Sequence, residues 1–148
     1  MIKQIFIALL GAVVLFALYT VYNRAPEAIG RTIDVGGKAS FRIDYANTPE
    51  TRAQGLSGRV FLPEDQGMFF VFETADQHGF WMKSMNFPID IIWIVEGVVL
   101  AIDSNLLPEG DSPSKIYYPP APVTHVLEVN AGLAKRFGIA PGDVIRFK

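Results

Sequence analysis

The residues best placed for chemistry crowd into one short stretch. Phe80-Trp81-Met82-Lys83-Ser84-Met85-Asn86-Phe87-Pro88-Ile89-Asp90 embeds Lys83 and Asp90 among aromatic and thioether side chains. Asp90 stands second in the apolar run Ile89–Val95. If that run is extended, Ile89, Ile91, Trp93 and Val95 face one way and Asp90, Ile92 and Ile94 the other. A strand apolar on both faces is normally buried, so its carboxylate needs a cation or hydrogen-bond donors. Lys83, Arg52 and Arg59 are the candidate cations, and the backbone amides of residues 86–88 the alternative. One reading is a structural carboxylate. The other is a ligand-binding pocket of Arg52, Lys83 and Asp90 with Trp81 as its aromatic wall, suited to an anionic or sugar-like molecule.

Other chemically suggestive groups have plainer explanations. His78, Met82 and Met85 offer imidazole and thioether groups, which suit Cu(I). Methionine beside Phe80, Trp81 and Phe87 ordinarily fills gaps, and an extended segment would put Met82 and Met85 on opposite faces. No metal or other cofactor is therefore expected. His125 and Glu128 invite an acid–base pairing, but strand alternation sets His125 with Leu127 and Glu128 with Val126. Ser57 in Gly55-Leu56-Ser57-Gly58 lacks the full spacing of a nucleophile elbow. Asn130 is expected to cap a helix.

These groups are positioned by elements with distinct local signals. Around Gly36-Gly37, alternating apolar and polar residues predict a hairpin with Ala39, Phe41, Ile43 and Tyr45 on one side. Thr48-Pro49 followed by Gly55 predicts a helix of two turns. Further strands are expected over 68–72, 79–82, 89–95, 98–103, 123–129 and 144–147, and a second helix over 131–137 ended by Gly138. Residues 106–122 hold five prolines (Pro108, Pro113, Pro119, Pro120 and Pro122) and read as a long ordered loop. The fold class is mainly β, a compact sandwich-like or barrel-like domain with two short helices and no βαβ units.

Composition separates this domain from what precedes it. Of the chain's 148 residues 50% are hydrophobic, and residues 1–24 hold 18 of them. The 18 residues from Ile5 to Tyr22 carry no charge, and a helix of that length spans about 27 Å at ~1.5 Å per residue. A cleavable signal has a shorter apolar region and a small-residue cleavage site, so a membrane anchor through residues 5–22 is the first expectation and a signal segment the second. The domain plan is an N-terminal hydrophobic helix over 1–24, a tether over 25–30 and a β-rich domain over 31–148, placed on the periplasmic or extracellular side. All 15 acidic residues and 11 of the 13 basic ones follow Arg24. That mildly acidic remainder argues against nucleic acid as a partner. With no cysteine, disulfides, thiolate zinc sites and cysteine nucleophiles are impossible.

Several blocks together resemble a known family. They are Thr51-Arg52-Ala53-Gln54-Gly55-Leu56, Gly67-Met68-Phe69-Phe70-Val71-Phe72, the stretch from Phe80 to Asp90, Val126-Leu127-Glu128-Val129-Asn130-Ala131-Gly132 and Gly138-Ile139-Ala140-Pro141-Gly142-Asp143. This pattern is similar to the domain of unknown function family 192, found mainly in bacteria and archaea and often behind a signal segment. The departures are Ser57 where the family usually has Met, and Ser84-Met85 where it has Asn-Thr. The resemblance implies a compact β-rich fold and no established activity, so no catalytic residue is carried over. The sequence favours a non-enzymatic domain binding a small molecule, a glycan or an envelope protein through Arg52, Trp81, Lys83, Asp90 and the 106–122 loop. An envelope enzyme using Asp90 with Lys83 or Arg52 is the alternative, and copper binding a minor one.

Overall fold

A computed structural model describes residues 31–148; the expected N-terminal helix and tether lie outside them. Among the described residues no helix is long and apolar enough to cross a membrane. The elements are β1 (Arg31–Val35), β2 (Ala39–Ala46), α1 (Pro49–Gln54), β3 (Gln66–Asp76), β4 (Ile89–Val95), β5 (Val98–Leu106), β6 (Val123–Asn130), α2 (Leu133–Phe137) and β7 (Ile145–Phe147). All seven strands join one sheet in the order β5-β4-β6-β3-β2-β1-β7.

The sheet curls into a half-barrel because its two ends are sewn together. Val98 bridges Val144, Val99 donates to the Asp143 carbonyl at 2.9 Å, and Ile145 donates to the Gly97 carbonyl at 2.8 Å. Ile33 and Val35 of β1 consequently share an apolar cluster with Ile92, Ile94 and Val99 from the opposite end of the sheet. The other face carries a second cluster, in which Phe70, Ile89, Ile91, Trp93 and Val126 pack under Leu56, Phe80, Met82, Met85 and Tyr117. β4 is thus buried on both faces, with the alternation expected of it. Each large apolar side chain so buried contributes on the order of 1.5–3 kcal/mol.

Local signals explain most elements. Thr48 caps α1 reciprocally with Thr51, Pro49 stands in the first turn, and Gly55 follows the last residue. The β1–β2 hairpin turns at Gly36-Gly37 as expected.

Four expectations fail for physical reasons. β2 and β3 run parallel and are joined across α1, so the sheet contains a βαβ unit where none was expected. Residues 79–82 form no strand: only Phe80 pairs, exchanging both backbone hydrogen bonds with Tyr117 at 2.8 and 2.9 Å. Because that segment is not extended, Met82 and Met85 enter the same cluster instead of opposite faces. Asn130 ends β6 and donates to the Leu62 carbonyl at 2.7 Å, while Gly132, which has no side chain to cap with, stands at the N-terminus of α2.

Candidate functional site

A cavity of about 220 Å³ opens on the sheet face that α1 and residues 78–85 cover. On one side it is bounded by Arg52, Gln54, Gly55, Leu56 and Ser57, and on the other by His78, Gly79, Phe80, Trp81 and Met85. Phe70 and Phe72 of β3 and Glu128 of β6 also line it. The two sides are fastened to each other. Ser57 Oγ donates to the Lys83 carbonyl at 2.7 Å, Gly58 N–H to the Ser84 carbonyl at 2.8 Å, and Asn86 Nδ2 to the Arg59 carbonyl at 2.9 Å. Residues 78–85 are held in turn to the 106–122 loop. At Gly79 a Cβ would come within 2.9 Å of both Ile116 Cγ2 and Tyr118 Cε1, so that close approach requires glycine.

Arg52 is fixed at the mouth of the cavity. Its Nη1 donates to the carbonyls of Asn47 at 3.0 Å and Val71 at 2.9 Å, and its guanidinium lies 5.3 Å from the Phe72 ring centroid. His78 stacks on the same ring, with centroids 3.6 Å apart and planes 10° off parallel. Trp81 is 44% exposed. A polar groove lined by Asn47, Glu73 and Thr74 adjoins the cavity and shares Arg52, Phe72 and His78 with it.

Glu128 is the unusual member. It is 5% exposed and directly opposite Met68 on β3 and Ile91 on β4, so its strand neighbours offer it nothing polar. Its Oε2 has no hydrogen-bond partner among the described residues. The nearby Arg59 instead bonds Asp44 on β2 at 2.7 Å. Burial pushes the Glu128 carboxyl up to about 8, with Arg59 opposing that rise only partly. Glu128 is therefore a neutral acid at pH 7, able both to donate and to accept a hydrogen bond. Gly55 makes room above it. Its φ of 51° and ψ of −135° suit glycine alone, and a Cβ there would stand 3.4 Å from Phe70 Cζ and 3.9 Å from Glu128 Oε2.

The four residues singled out from sequence are divided by the structure. Arg52 and Trp81 line the cavity; Lys83 and Asp90 do not. Lys83 is exposed and holds the wall only through its backbone carbonyl. Asp90 is fully buried on the opposite face of the sheet. Its Oδ1 accepts the amides of Asn105 at 2.8 Å and Gly132 at 3.0 Å, and its Oδ2 accepts that of Ala134 at 3.0 Å. The partners are thus neither the expected cations nor residues 86–88. One of those amides lies in a bulge, where Asp90 alone stands opposite Ser104 and Asn105, and the other two open α2. Asp90 supplies the cap that Gly132 cannot. With both oxygens taken and no exposure, it has no route to a substrate. The 106–122 loop contributes no residue to the cavity lining.

From sequence Glu128 is considered only as an acid–base partner of His125 and set aside, although alternation places it correctly beside Val126. The signal available was a carboxylate between Leu127 and Val129, on the same face as Val126, in the strand Val123–Asn130. His125, on the other face, stacks on Phe69 with centroids 5.3 Å apart, and burial lowers its pKa.

The DUF192 family model, described as Uncharacterized ACR, matches residues 31–147. A crystal structure of a protein of unknown function from Novosphingobium aromaticivorans DSM 12444 superposes with a TM-score of 0.72 at 32% identity, covering 82% of this chain and 89% of that one. The crystal structure of a protein proposed to be a transcription regulator, from Sinorhizobium meliloti 1021, gives 0.73 at 32% identity, covering 80% and 92%. No functionally curated protein matches the chain.

Proposed function

The chain belongs to the DUF192 family, and from the geometry of its cavity we propose a non-enzymatic domain that binds a small molecule. One observation carries this reading: a buried carboxyl group, whose Oε2 has no partner among the described residues, lines an aromatic-walled cavity. Leaving a polar group buried and unbonded costs roughly 1–3 kcal/mol, a cost that a ligand's hydrogen bond would recover. Phe70, Phe72, Phe80 and Trp81 supply apolar contact, and Arg52 and His78 supply polarity at the mouth. Among the described residues no nucleophile stands beside a base and an orienting group, which favours binding over catalysis.

NMR of the full chain in detergent micelles tests this, with phenol, benzamide, benzylamine and benzoate as probes. The neutral probes are expected to shift the amide signals of Gly55, Gly79 and Glu128 at millimolar concentration, and benzoate to act more weakly. Shifts confined to other surfaces, or none with any probe, would contradict the reading.

The same proposal holds the domain outside the cytoplasmic membrane by an anchor at residues 5–22. Its support is the length of that uncharged run. Alkaline phosphatase fused after residue 30 should be active, and an inactive fusion would place the domain inside.

A further inference from the structure

The cavity has an uncharged end and a cationic end. Glu128 stands opposite Met68 on β3, and Phe72 follows on the same face of that strand, about 13 Å further along at ~3.3 Å per residue. Around Glu128, β3 and β4 contribute the apolar Met68 and Ile91, and β2 contributes Asp44 already paired with Arg59. Burial keeps the Glu128 carboxyl neutral, so no charge stands at this end. Leu56, Phe70, Phe80 and Met85 line the space above it. At the other end Arg52 and His78 both lie against the Phe72 ring. The carbonyls of Asn47 and Val71 take Arg52 Nη1, which leaves Nε and Nη2 without a partner among the described residues. That edge of a guanidinium accepts a carboxylate through two parallel bonds. Glu50 on α1 and Glu73 and Asp76 on β3 lie outside the cavity lining, and Glu73 faces the adjoining groove instead.

We propose that the cavity binds a small aryl-substituted alkanoic acid as its carboxylate, with the aromatic ring inward against Phe70 and Phe80 and the carboxylate outward on Arg52. This inference rests on the ligand-binding reading above and names the ligand class and its orientation in that same cavity. The space amounts to roughly seven waters at ~30 Å³ each, room for one ring and a short arm. The walls favour an aromatic ring over a plain alkyl chain. Phe80 already meets Phe70 at 4.9 Å and Trp93 at 5.3 Å edge to face, an arrangement that a further ring extends. Phe70 and Phe72 are alternate residues of β3, about 7 Å apart at ~3.3 Å per residue. A ring placed at Phe70 therefore reaches Arg52 with a carboxylate on a short carbon arm, as in 3-phenylpropionate. In benzoate the carboxylate sits on the ring itself, so either the charge is drawn among the aromatic walls or the ring leaves the apolar end.

The test is titration of the full chain in detergent micelles at pH 7 and low salt, read by the Gly55, Gly79 and Glu128 amide signals and by nuclear Overhauser contacts from the probe. The probes are 3-phenylpropionate, 3-phenylpropionamide, benzoate and hexanoate. 3-Phenylpropionate should bind at least about tenfold tighter than each of the other three. Its ring protons should contact the Met85 methyl group and its arm the Phe72 ring. Arg52→Gln should bring the acid to within about threefold of its amide while leaving the affinity for the amide unchanged, a separation that general damage to the cavity would not produce. In the parent chain alone, an amide or hexanoate bound as tightly as 3-phenylpropionate, or ring contacts at the Phe72 end with the carboxylate inward, would overturn the proposal. An undiminished preference for the acid in Arg52→Gln would overturn it as well. If the acid gains nothing over its amide while phenol or benzamide still shifts the cavity signals, the carboxylate assignment fails and the ligand-binding reading survives. If no probe of either kind shifts them, both fail.

Discussion

Asp90 and Glu128 stand on the adjacent central strands β4 and β6, one residue apart in register, and both are buried. They point to opposite faces of the sheet. Asp90 accepts three backbone amides, while Glu128 Oε2 accepts nothing among the described residues. The first is saturated by parts of the fold that need it, namely a bulge in β5 and an uncapped helix. The second faces a space that the fold leaves open. Burial alone therefore does not distinguish a structural carboxylate from a functional one; the number of partners does.

The largest effect should come from breaking the saturated member. Asp90→Asn replaces one acceptor oxygen with an amino group facing backbone N–H donors, so urea unfolding should show a loss of at least ~3 kcal/mol. A loss below ~1 kcal/mol would mean that its amide partners are readily satisfied elsewhere.

Glu128→Gln should have the opposite sign. Burial pushes the folded-state carboxyl up to about 8, against an ordinary value of 4.5. As pH rises through that window, the unfolded chain releases a proton that the folded chain keeps, so stability falls. Below the window both states are protonated and the penalty is absent; above it the penalty is complete. The variant should thus match the parent near pH 4 and exceed it by about 2–4 kcal/mol at pH 8.5 in parallel denaturation curves. A parent as stable at pH 8.5 as at pH 5.5 relative to the variant would remove the contrast.

Gly55→Ala should cost about 1–3 kcal/mol from backbone strain, with thermal unfolding as the measurement, and should narrow the cavity above Glu128. Lys83→Ala should change stability by less than ~0.5 kcal/mol and leave probe binding unaltered, since only its backbone carbonyl takes part. A marked loss of probe binding in that variant would restore Lys83 to the site.

What was legible in the sequence follows the range of each interaction. Gly36-Gly37, Thr48-Pro49 and the two faces of Ile89–Val95 announce local structure that the fold keeps. The parallel pairing of β2 with β3, the bulge opposite Asp90 and the capping of α2 from a distant strand depend on partners tens of residues away. Arg52 and Trp81, expected to share a pocket with Lys83 and Asp90, line the cavity without them. Asp90 drew attention for the right reason, a carboxylate in an apolar strand, but its amides come from the β5 bulge and the start of α2. Glu128 shows the same local pattern. The placement of α1 and residues 78–85 over its face leaves its Oε2 without a partner among the described residues.

Carbon-detected NMR of the Glu128 side-chain carboxyl, followed from pH 3 to pH 10 in the ligand-free chain, tests the contrast most directly. A resonance in its protonated position at pH 7 that moves near pH 8 is the expected result. A midpoint near the ordinary value of 4.5 would show a solvated or paired carboxylate, and would contradict both the contrast with Asp90 and the site built on it.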